Sequence, residues 1–380
     1  MLSDKDKFKS RSIKIALVAG EKSGDKLGAS LISSLKTYLP EAEFIGLGGA
    51  EMENEGLTPF FDIEKISVMG ILDPIKRLPE LLYLRRKLKR YLLSENPDIF
   101  IGIDSPDFNL AIAKFLRDKM SVKTVQYVSP SIWAWRSGRI KKIEKSVDKV
   151  LTLFPFEKKA YSNSSVEVSY VGHPLVHKLS ALDAEKGTIR DQEDRKRIIA
   201  LLPGSRRSEI KIMANLMIKA ARILSAEDKK LKFFMPLLDE SHKDLISEDY
   251  SGLIEFSYGN SQEILLKADM GIATSGTVTL EALLARTPIL AAYKTNWLSY
   301  TLIKPFLKVP FFSLPNLLAN KEIIPELLQS EVTPEKLVSS FKCLSKNKEK
   351  CLKEFEKIYQ ELASAGKEAP SKAILDLIKC

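Results

Sequence analysis

Residues 268–288 read ADMGIATSGTVTLEALLARTP. A strand-like run closes at Ala273, the small residues Thr274, Ser275, Gly276 and Thr277 make a turn, and a helical pattern runs on through Glu281. The free N–H groups of a helix start, with the positive end of its dipole, form an anion site. Ser275 or Thr277 is of the right type to cap that helix. Gly276 lets a phosphate approach the backbone. Glu281, a turn further on, could accept hydrogen bonds from a ribose diol. An ordinary capped helix on a doubly wound sheet has the same residues, so this stretch alone fits either role.

Three other stretches could carry chemistry. In LLPGSRRSEI (201–210) a strand pattern leads through Pro203-Gly204-Ser205 to Arg206 and Arg207. Arginine here could clamp a diphosphate bidentately and hold the charge that grows as it leaves. The alternative is a pair of solvated arginines, but positive charge at a helix start is unfavourable without an anion nearby. In FIGIDSPDFNL (100–110) a buried strand delivers Asp104 and Asp107 at its carboxyl end. Asp107 suits the cap of the following helix, and Asp104, at the strand tip, is the better general base. Both acting as caps would satisfy the pattern equally. The stretch ALVAGEKSGDKLG (16–28) has the strand, glycine and helix order of a nucleotide loop without its content. Lys22 comes too early for GxxxxGK[ST], and Gly24 is followed by Asp25. Acidic Glu21 and Asp25 disfavour a polyphosphate. That leaves the cluster as a turn at a strand end: Glu21 and Ser23 offer hydrogen-bond partners, which the family resemblance described below makes partners for an acceptor sugar's hydroxyls, and Gly24 permits a close helix start.

These residues need strands to carry them. Apolar runs fall at Lys14–Ala19, Glu43–Leu47, Ile99–Ile103, Lys123–Val128, Val150–Leu153 and Val168–Val171, with helical patterns such as Asp25–Tyr38 and Asp107–Lys119 between them. The alternation implies a parallel sheet covered on both faces. It stops at the charged stretch DAEKGTIRDQEDRKR (183–197), then resumes at Ile198–Leu202, Lys232–Met235, Ile254–Ser257, Asp269–Ala273 and Pro288–Tyr293. The expected fold is α/β, with two Rossmann-like doubly wound domains and a cleft between them. The expected division is 1–175, 176–345, and C-terminal helices over 346–380; the family resemblance described below implies that 1–175 is the acceptor and membrane side and 176–345 the UDP-sugar donor side. Ligands in such sheets sit at the carboxyl ends of strands.

The bulk numbers narrow the class. A chain of 380 residues with three cysteines, Cys343, Cys351 and Cys380, has neither a disulfide framework nor zinc-ligand spacing. A cytoplasmic protein is expected, with no signal peptide in the opening residues and no spanning helix. The formal charge of +10 favours an anionic partner. Residues 76–90 concentrate seven basic side chains among leucines at helical spacing (Leu78, Leu81, Leu82, Leu88, Leu92). That suits an anionic membrane surface, or a core-packed helix with a solvated basic face. His173 and His177, in YVGHPLVHKL, flank Pro174 and read as part of a hinge. Trp133 and Trp135 fit an aromatic wall or the core equally.

As a set, LVAGEKSGDKLGASLI, VMGI, GIDSPDFN, YVSPSIWAWRSGRIKKI, FPFEKKAY, VGHPL, LLPGSRRSEI, ATSGTVTLEALLA and SLPNLLANKEIIPELLQ resemble the lipid-A-disaccharide synthase family, in the family's order and over most of the chain. The resemblance implies the GT-B fold of an inverting glycosyltransferase. It implies transfer of 2,3-diacylglucosamine from UDP-2,3-diacylglucosamine to 2,3-diacylglucosamine 1-phosphate, giving the β-1,6-linked lipid A disaccharide 1-phosphate and UDP. Asp104 falls on the family's essential aspartate, and Arg206 and Asn316 on residues it needs for activity. Ser275, Gly276, Thr277 and Glu281 fall on its nucleotide loop. The stretch 66–93 falls on its membrane and acyl-chain surface, which implies peripheral attachment to the cytoplasmic face of the inner membrane. A homodimer with exchanged C-terminal portions is also implied. Arg207 and Lys22 depart from the small residues common in relatives.

No cofactor and no metal are expected, since the only Asp-x-Asp pair is Asp4-Lys5-Asp6. A UDP-sugar epimerase of the same fold is the alternative, and it would need no acyl surface. A non-catalytic lipid-binding relative would lack the catalytic residues, all of which are present. A nucleic-acid-binding protein would interleave basic and aromatic residues along a face; that pattern is missing, and no nucleic-acid partner is expected.

Overall fold

A computed structural model describes residues 12–61, 78–132, 137–183, 196–295 and 310–379. Trp133, Trp135, the 66–77 part of the expected membrane segment and most of the charged stretch 183–197 lie outside them. The chain divides into two units. One takes it up to Pro174 and resumes at Ala365; the other is Leu175–Ser364.

The first unit is a seven-stranded parallel sheet. Its strands are β1 (Lys14–Ala19), β2 (Glu43–Leu47), β3 (Leu57–Pro59), β4 (Ile99–Ile103), β5 (Lys123–Tyr127), β6 (Lys149–Thr152) and β7 (Glu167–Tyr170), in the order β3-β2-β1-β4-β5-β6-β7. β4 is buried at every residue and β1 at all but its first. Strands covered on both faces read as apolar runs without alternation. The helices are α1 (Lys22–Lys36), α2 (Ala50–Asn54), α3 (Leu78–Glu95), α4 (Pro106–Lys119), α5 (Ile140–Glu144) and, after a long excursion of the chain, α13 (Ala369–Lys379). α13 is fastened by a 2.7 Å hydrogen bond between the Ser34 and Ser371 hydroxyls and by Tyr38 Oη donating to Glu368 at 2.5 Å. The buried Lys149 ammonium donates to the Ala373 carbonyl at 2.9 Å and pairs with Glu167 at 2.7 Å. A buried charge persists only when paired in this way.

The second unit repeats the plan with β8 (Arg197–Leu202), β9 (Leu231–Leu237), β10 (Ile254–Tyr258), β11 (Met270–Thr274), β12 (Ile289–Tyr293) and β13 (Glu326–Leu328), ordered β10-β9-β8-β11-β12-β13 and parallel throughout. Its helices are α6 (Pro174–Asp183, which enters from the first unit), α7 (Arg207–Glu227), α8 (Ser261–Lys267), α9 (Val278–Leu284), α10 (Leu314–Ala319), α11 (Pro334–Lys346) and α12 (Lys348–Ala363). Strand order reverses between β1 and β4 in one sheet and between β8 and β11 in the other. Such a switch point leaves a crevice at the strands' carboxyl ends.

Candidate active site

In the second unit a cavity of about 360 Å³ opens on the switch point. Its wall includes Gly204, Ser205 and Arg206 after β8, Leu237 and Leu238 at the end of β9, Ser275, Gly276 and Thr277 in the turn after β11, and Glu281 on α9. Arg206 precedes α7 with extended backbone and a side chain 72% exposed. The anion that a positive charge there calls for is Glu209. Its buried carboxylate accepts from Arg206 N at 3.3 Å and from Arg206 Nη1 at 2.8 Å. A glutamate three residues after a helix cap is the sequence signal for this pair; Glu209 is a residue the motif reading of 201–210 does not single out. Gly204, at φ +102°, leaves the space: a Cβ there would lie 2.5 Å from Glu209 Oε2.

The turn after β11 differs from expectation in its caps. Thr277 already has helical backbone, so its side chain makes no cap hydrogen bond. Ser275 Oγ donates instead to the Phe312 carbonyl at 3.1 Å. Among the described residues, a Cβ on Gly276 would meet nothing within 4 Å, so their packing does not demand glycine there. Glu281 Oε1 accepts from Gln262 Nε2 at 3.1 Å, which fixes a carboxylate in the cavity wall.

Asn316 is fully buried in α10. Its Nδ2 donates to the Ile324 carbonyl at 2.9 Å and Glu326 Oε1 at 2.8 Å, and its Oδ1 accepts from Ile323 N and Ile324 N. Glu326 in turn accepts from Phe312 N, Ser313 N and Ser313 Oγ. The amide is therefore spent inside the protein, and among the described residues it reaches the cavity wall indirectly, through the segment whose Phe312 carbonyl holds Ser275 and whose Leu314 N donates to Thr279 Oγ1 on α9.

The first unit's switch point carries acids. Asp104 follows β4 with φ +52°, Ser105 with φ +38°, and Val128, just past β5, with φ +76°. Left-handed backbone in non-glycine residues costs on the order of 1–3 kcal/mol each and gathers at functional sites. Asp104 is half-buried, and that burial raises its carboxyl above the usual range against the opposing hydrogen bond from Ser105 N at 2.8 Å. Asp107 does not cap α4. It stands exposed in the first turn, where Arg139 Nη2 donates to both its oxygens at 2.7 Å.

In the GEKSGD cluster α1 starts at Lys22, earlier than expected, with Glu21 as an exposed cap residue and Ser23 exposed. A Cβ on the buried Gly24 would lie 3.3 Å from Ala19 Cβ and 3.5 Å from the Ile103 carbonyl. The cluster and Asp104 thus share one strand end. Asp25 is turned elsewhere: its carboxylate accepts from Gly49 N, Glu51 N and Met52 N at the start of α2. It is a cap for a distant helix and says nothing against a phosphate.

On α3, Leu88 and Leu92 are buried while Leu82, Tyr83 and Leu93 are exposed among the basic residues. Lys87 Nζ stands 4.8 Å from the Tyr83 ring centre. The helix therefore serves the core with one side and leaves apolar and basic groups outside. His173 lies against Phe154, with ring centres 5.7 Å apart, and burial pushes its imidazole down to about 4. Among the described residues no helix is long and apolar enough to cross a membrane, and no three His, Cys, Asp or Glu side chains gather as a metal site.

Solved structures similar to this chain share its fold at low identity. A glycotransferase of kitacinnamycin superposes with a TM-score of 0.66 at 13% identity, over 97% of this chain and 100% of that one. A UDP-GlcNAc 2-epimerase from Neisseria meningitidis, bound to UDP-GlcNAc, gives 0.61 at 14% identity, over 96% and 99%. At such identities both report the fold, GT-B, and do not choose between transferase and epimerase. Sequence does. The lipid-A-disaccharide synthase of Alcanivorax borkumensis is 41% identical over 96% of this chain and 97% of its own length. The family model for lipid-A-disaccharide synthetase matches residues 15–375. The chain belongs to the lipid-A-disaccharide synthase family, a hexosyltransferase of lipid A biosynthesis with the GT-B fold.

Proposed function

We propose that the chain joins two acylated sugars at its two switch points, with UDP-2,3-diacylglucosamine as donor and 2,3-diacylglucosamine 1-phosphate as acceptor. The observation that carries this reading is the opposite chemistry of the two strand ends: Asp104 at one, Arg206 beside an open Gly276 at the other. Inverting transfer needs a base for the acceptor and a holder for the departing charge, and each unit supplies one.

Asp104 takes the proton from the acceptor 6-hydroxyl as that oxygen attacks the anomeric carbon. The C–O bond to UDP breaks on the opposite face through an oxocarbenium-like transition state. Arg206, oriented by Glu209, and the N–H groups near Ser275–Thr277 stabilise the diphosphate as its charge grows. Glu281 receives the ribose hydroxyls. Glu21 and Ser23 receive acceptor hydroxyls beside Asp104, and Gly24 keeps that helix start close. Asn316 acts through Glu326 and Ser313 on the Ser275 turn. With arginine and backbone dipoles supplying the positive charge, turnover needs no divalent ion.

The exposed Leu82, Tyr83 and Leu93 among the basic residues of α3, the described part of the 66–93 stretch, support docking on an anionic bilayer from which acyl chains are drawn. The cytoplasmic face of the inner membrane and a homodimer complete the reading. Mass spectrometry of the product from the two named substrates, with and without chelator, tests it. A disaccharide monophosphate plus UDP, formed equally under chelation, is the expected result. Interconversion of the UDP-sugar with no acceptor consumed would replace this reading with an epimerase.

A further inference from the structure

Asp104, Ser105 and Val128 are three non-glycine residues with left-handed backbone at the ends of adjacent strands. Valine is among the residues least suited to it. Two buried side-chain amides hold this arrangement. Asn109, fully buried on α4, donates from Nδ2 to the Asp104 carbonyl at 2.9 Å, the Ile103 carbonyl at 3.1 Å and the Val18 carbonyl at 3.2 Å. Gln126, buried on β5, donates from Nε2 to the Asp104 carbonyl at 2.9 Å and the Val128 carbonyl at 3.3 Å. The Asp104 carbonyl therefore receives one amide from each side.

Gly102 makes the room for both. A Cβ there would lie 2.7 Å from Asn109 Cβ and 3.2 Å from Gln126 Oε1. Asn109 Oδ1, by contrast, is buried with no hydrogen-bond partner among the described residues. An unpaired buried acceptor costs stability. Two N–H groups shared among three carbonyls, with the amide oxygen left over, describe a residue kept for the geometry of the turn.

We propose that Asn109 and Gln126 are positioning residues, a two-amide clamp that holds the Asp104–Ser105 turn in its left-handed form and so sets the direction of the Asp104 carboxylate. The inference rests on Asp104 being the base. It adds two residues and a glycine to what that base requires.

Gln126→Met keeps similar bulk and removes the donors to Asp104 and Val128. The measurements are kcat, both KM values, UDP affinity and Tm, in the wild-type and Asp104→Ala backgrounds. The clamp predicts a fall in kcat of about 10²-fold, the scale of a misplaced catalytic group, with KM and UDP affinity unchanged. It predicts no further loss once Asp104 is alanine, because both changes remove the same function. Adding Ser105→Gly, which relieves the steric cost of left-handed backbone, recovers part of the lost kcat. Equal losses in both backgrounds, a loss that follows Tm, or wild-type kcat in Gln126→Met overturns the clamp and leaves Asp104 standing. Near wild-type turnover in Asp104→Ala alone overturns the base assignment and the clamp with it. If Gln126→Met fails to fold, Asn109→Ser in the same cycle reads the same quantity.

Discussion

The two switch points are built on one strand order and present opposite charge. Between β1 and β4 the turn closes up: Gly24 is buried within van der Waals range of Ala19 and the end of β4, and the groups presented are Glu21 and Asp104. Between β8 and β11 the turn opens: Gly276 faces empty space, a cavity of about 360 Å³ lies beside it, and Arg206 stands at its wall. Topology decides where a ligand goes, and a few side chains decide which charge it meets. Even the glycines differ in kind. Gly102, in β4, is demanded by packing, since a methyl there would press on Asn109, whereas none of the described residues demands Gly276.

The most forceful way to break this comparison is to delete its acid. Asp104→Ala should lower kcat by roughly 10²–10⁴-fold, the usual worth of a general base, while UDP affinity stays at the wild-type value. Steady-state kinetics alongside calorimetric UDP titration checks both halves. A parallel loss of UDP binding would mean that the two strand ends do not divide the labour as described. Next in size, Arg206→Ala should cost about 10²–10³-fold in kcat, as removal of one transition-state donor does, and should weaken UDP binding as well. If Arg206→Ala left UDP affinity untouched, the cavity would not be where the diphosphate sits.

Much of this division was legible in the sequence. β1, β4, β8 and β11 show as apolar runs because both faces are buried, and the residues at their carboxyl ends follow directly. β3 and β13, three residues each, carry no such run; their pairing is imposed by the neighbouring strand. The partners of acids were the main blind spot. Asp25 looks like a loop acid until α2 is brought to it, and Glu209 looks like a surface charge until Gly204 opens the space beside Arg206. The amide of Asn316, named by family resemblance as needed for activity, turns out to be spent on Ile323, Ile324 and Glu326. No spacing rule reveals such contacts, because each depends on residues joined only by the folded sheet.

The glycine contrast can be sharpened with paired substitutions of smaller effect. Gly102→Ala should destabilise the protein by about 1–3 kcal/mol through overpacking and lower kcat, with UDP affinity unchanged. Gly276→Ala should leave stability within about 0.5 kcal/mol, as a substitution into open space does, yet weaken UDP binding. Chemical denaturation and UDP titration on the same two variants decide it. If Gly276→Ala bound UDP as the wild type does, the open face of that turn would not be a ligand surface.

The smallest effect concerns what the acid costs the fold. Burial raises the Asp104 carboxyl above its ordinary value, so the folded protein holds this proton more tightly than the unfolded chain does. Its favourable contribution is complete below the unfolded pKa and is lost as pH rises through the folded one. At neutral pH the ionised carboxylate is therefore a net burden on stability. Asp104→Asn removes that burden and places in the left-handed site a residue that tolerates it well. Its Tm at neutral pH should rise by about 1–3 °C, the shift that a fraction of a kcal/mol produces in a unit of this size, while activity is lost. The gain should shrink as the pH is lowered through the raised carboxyl value, because the wild-type side chain is then neutral too. A lower Tm in Asp104→Asn at neutral pH would show that the fold needs the charge, and the first switch point would then be a structural ion site rather than a strained base.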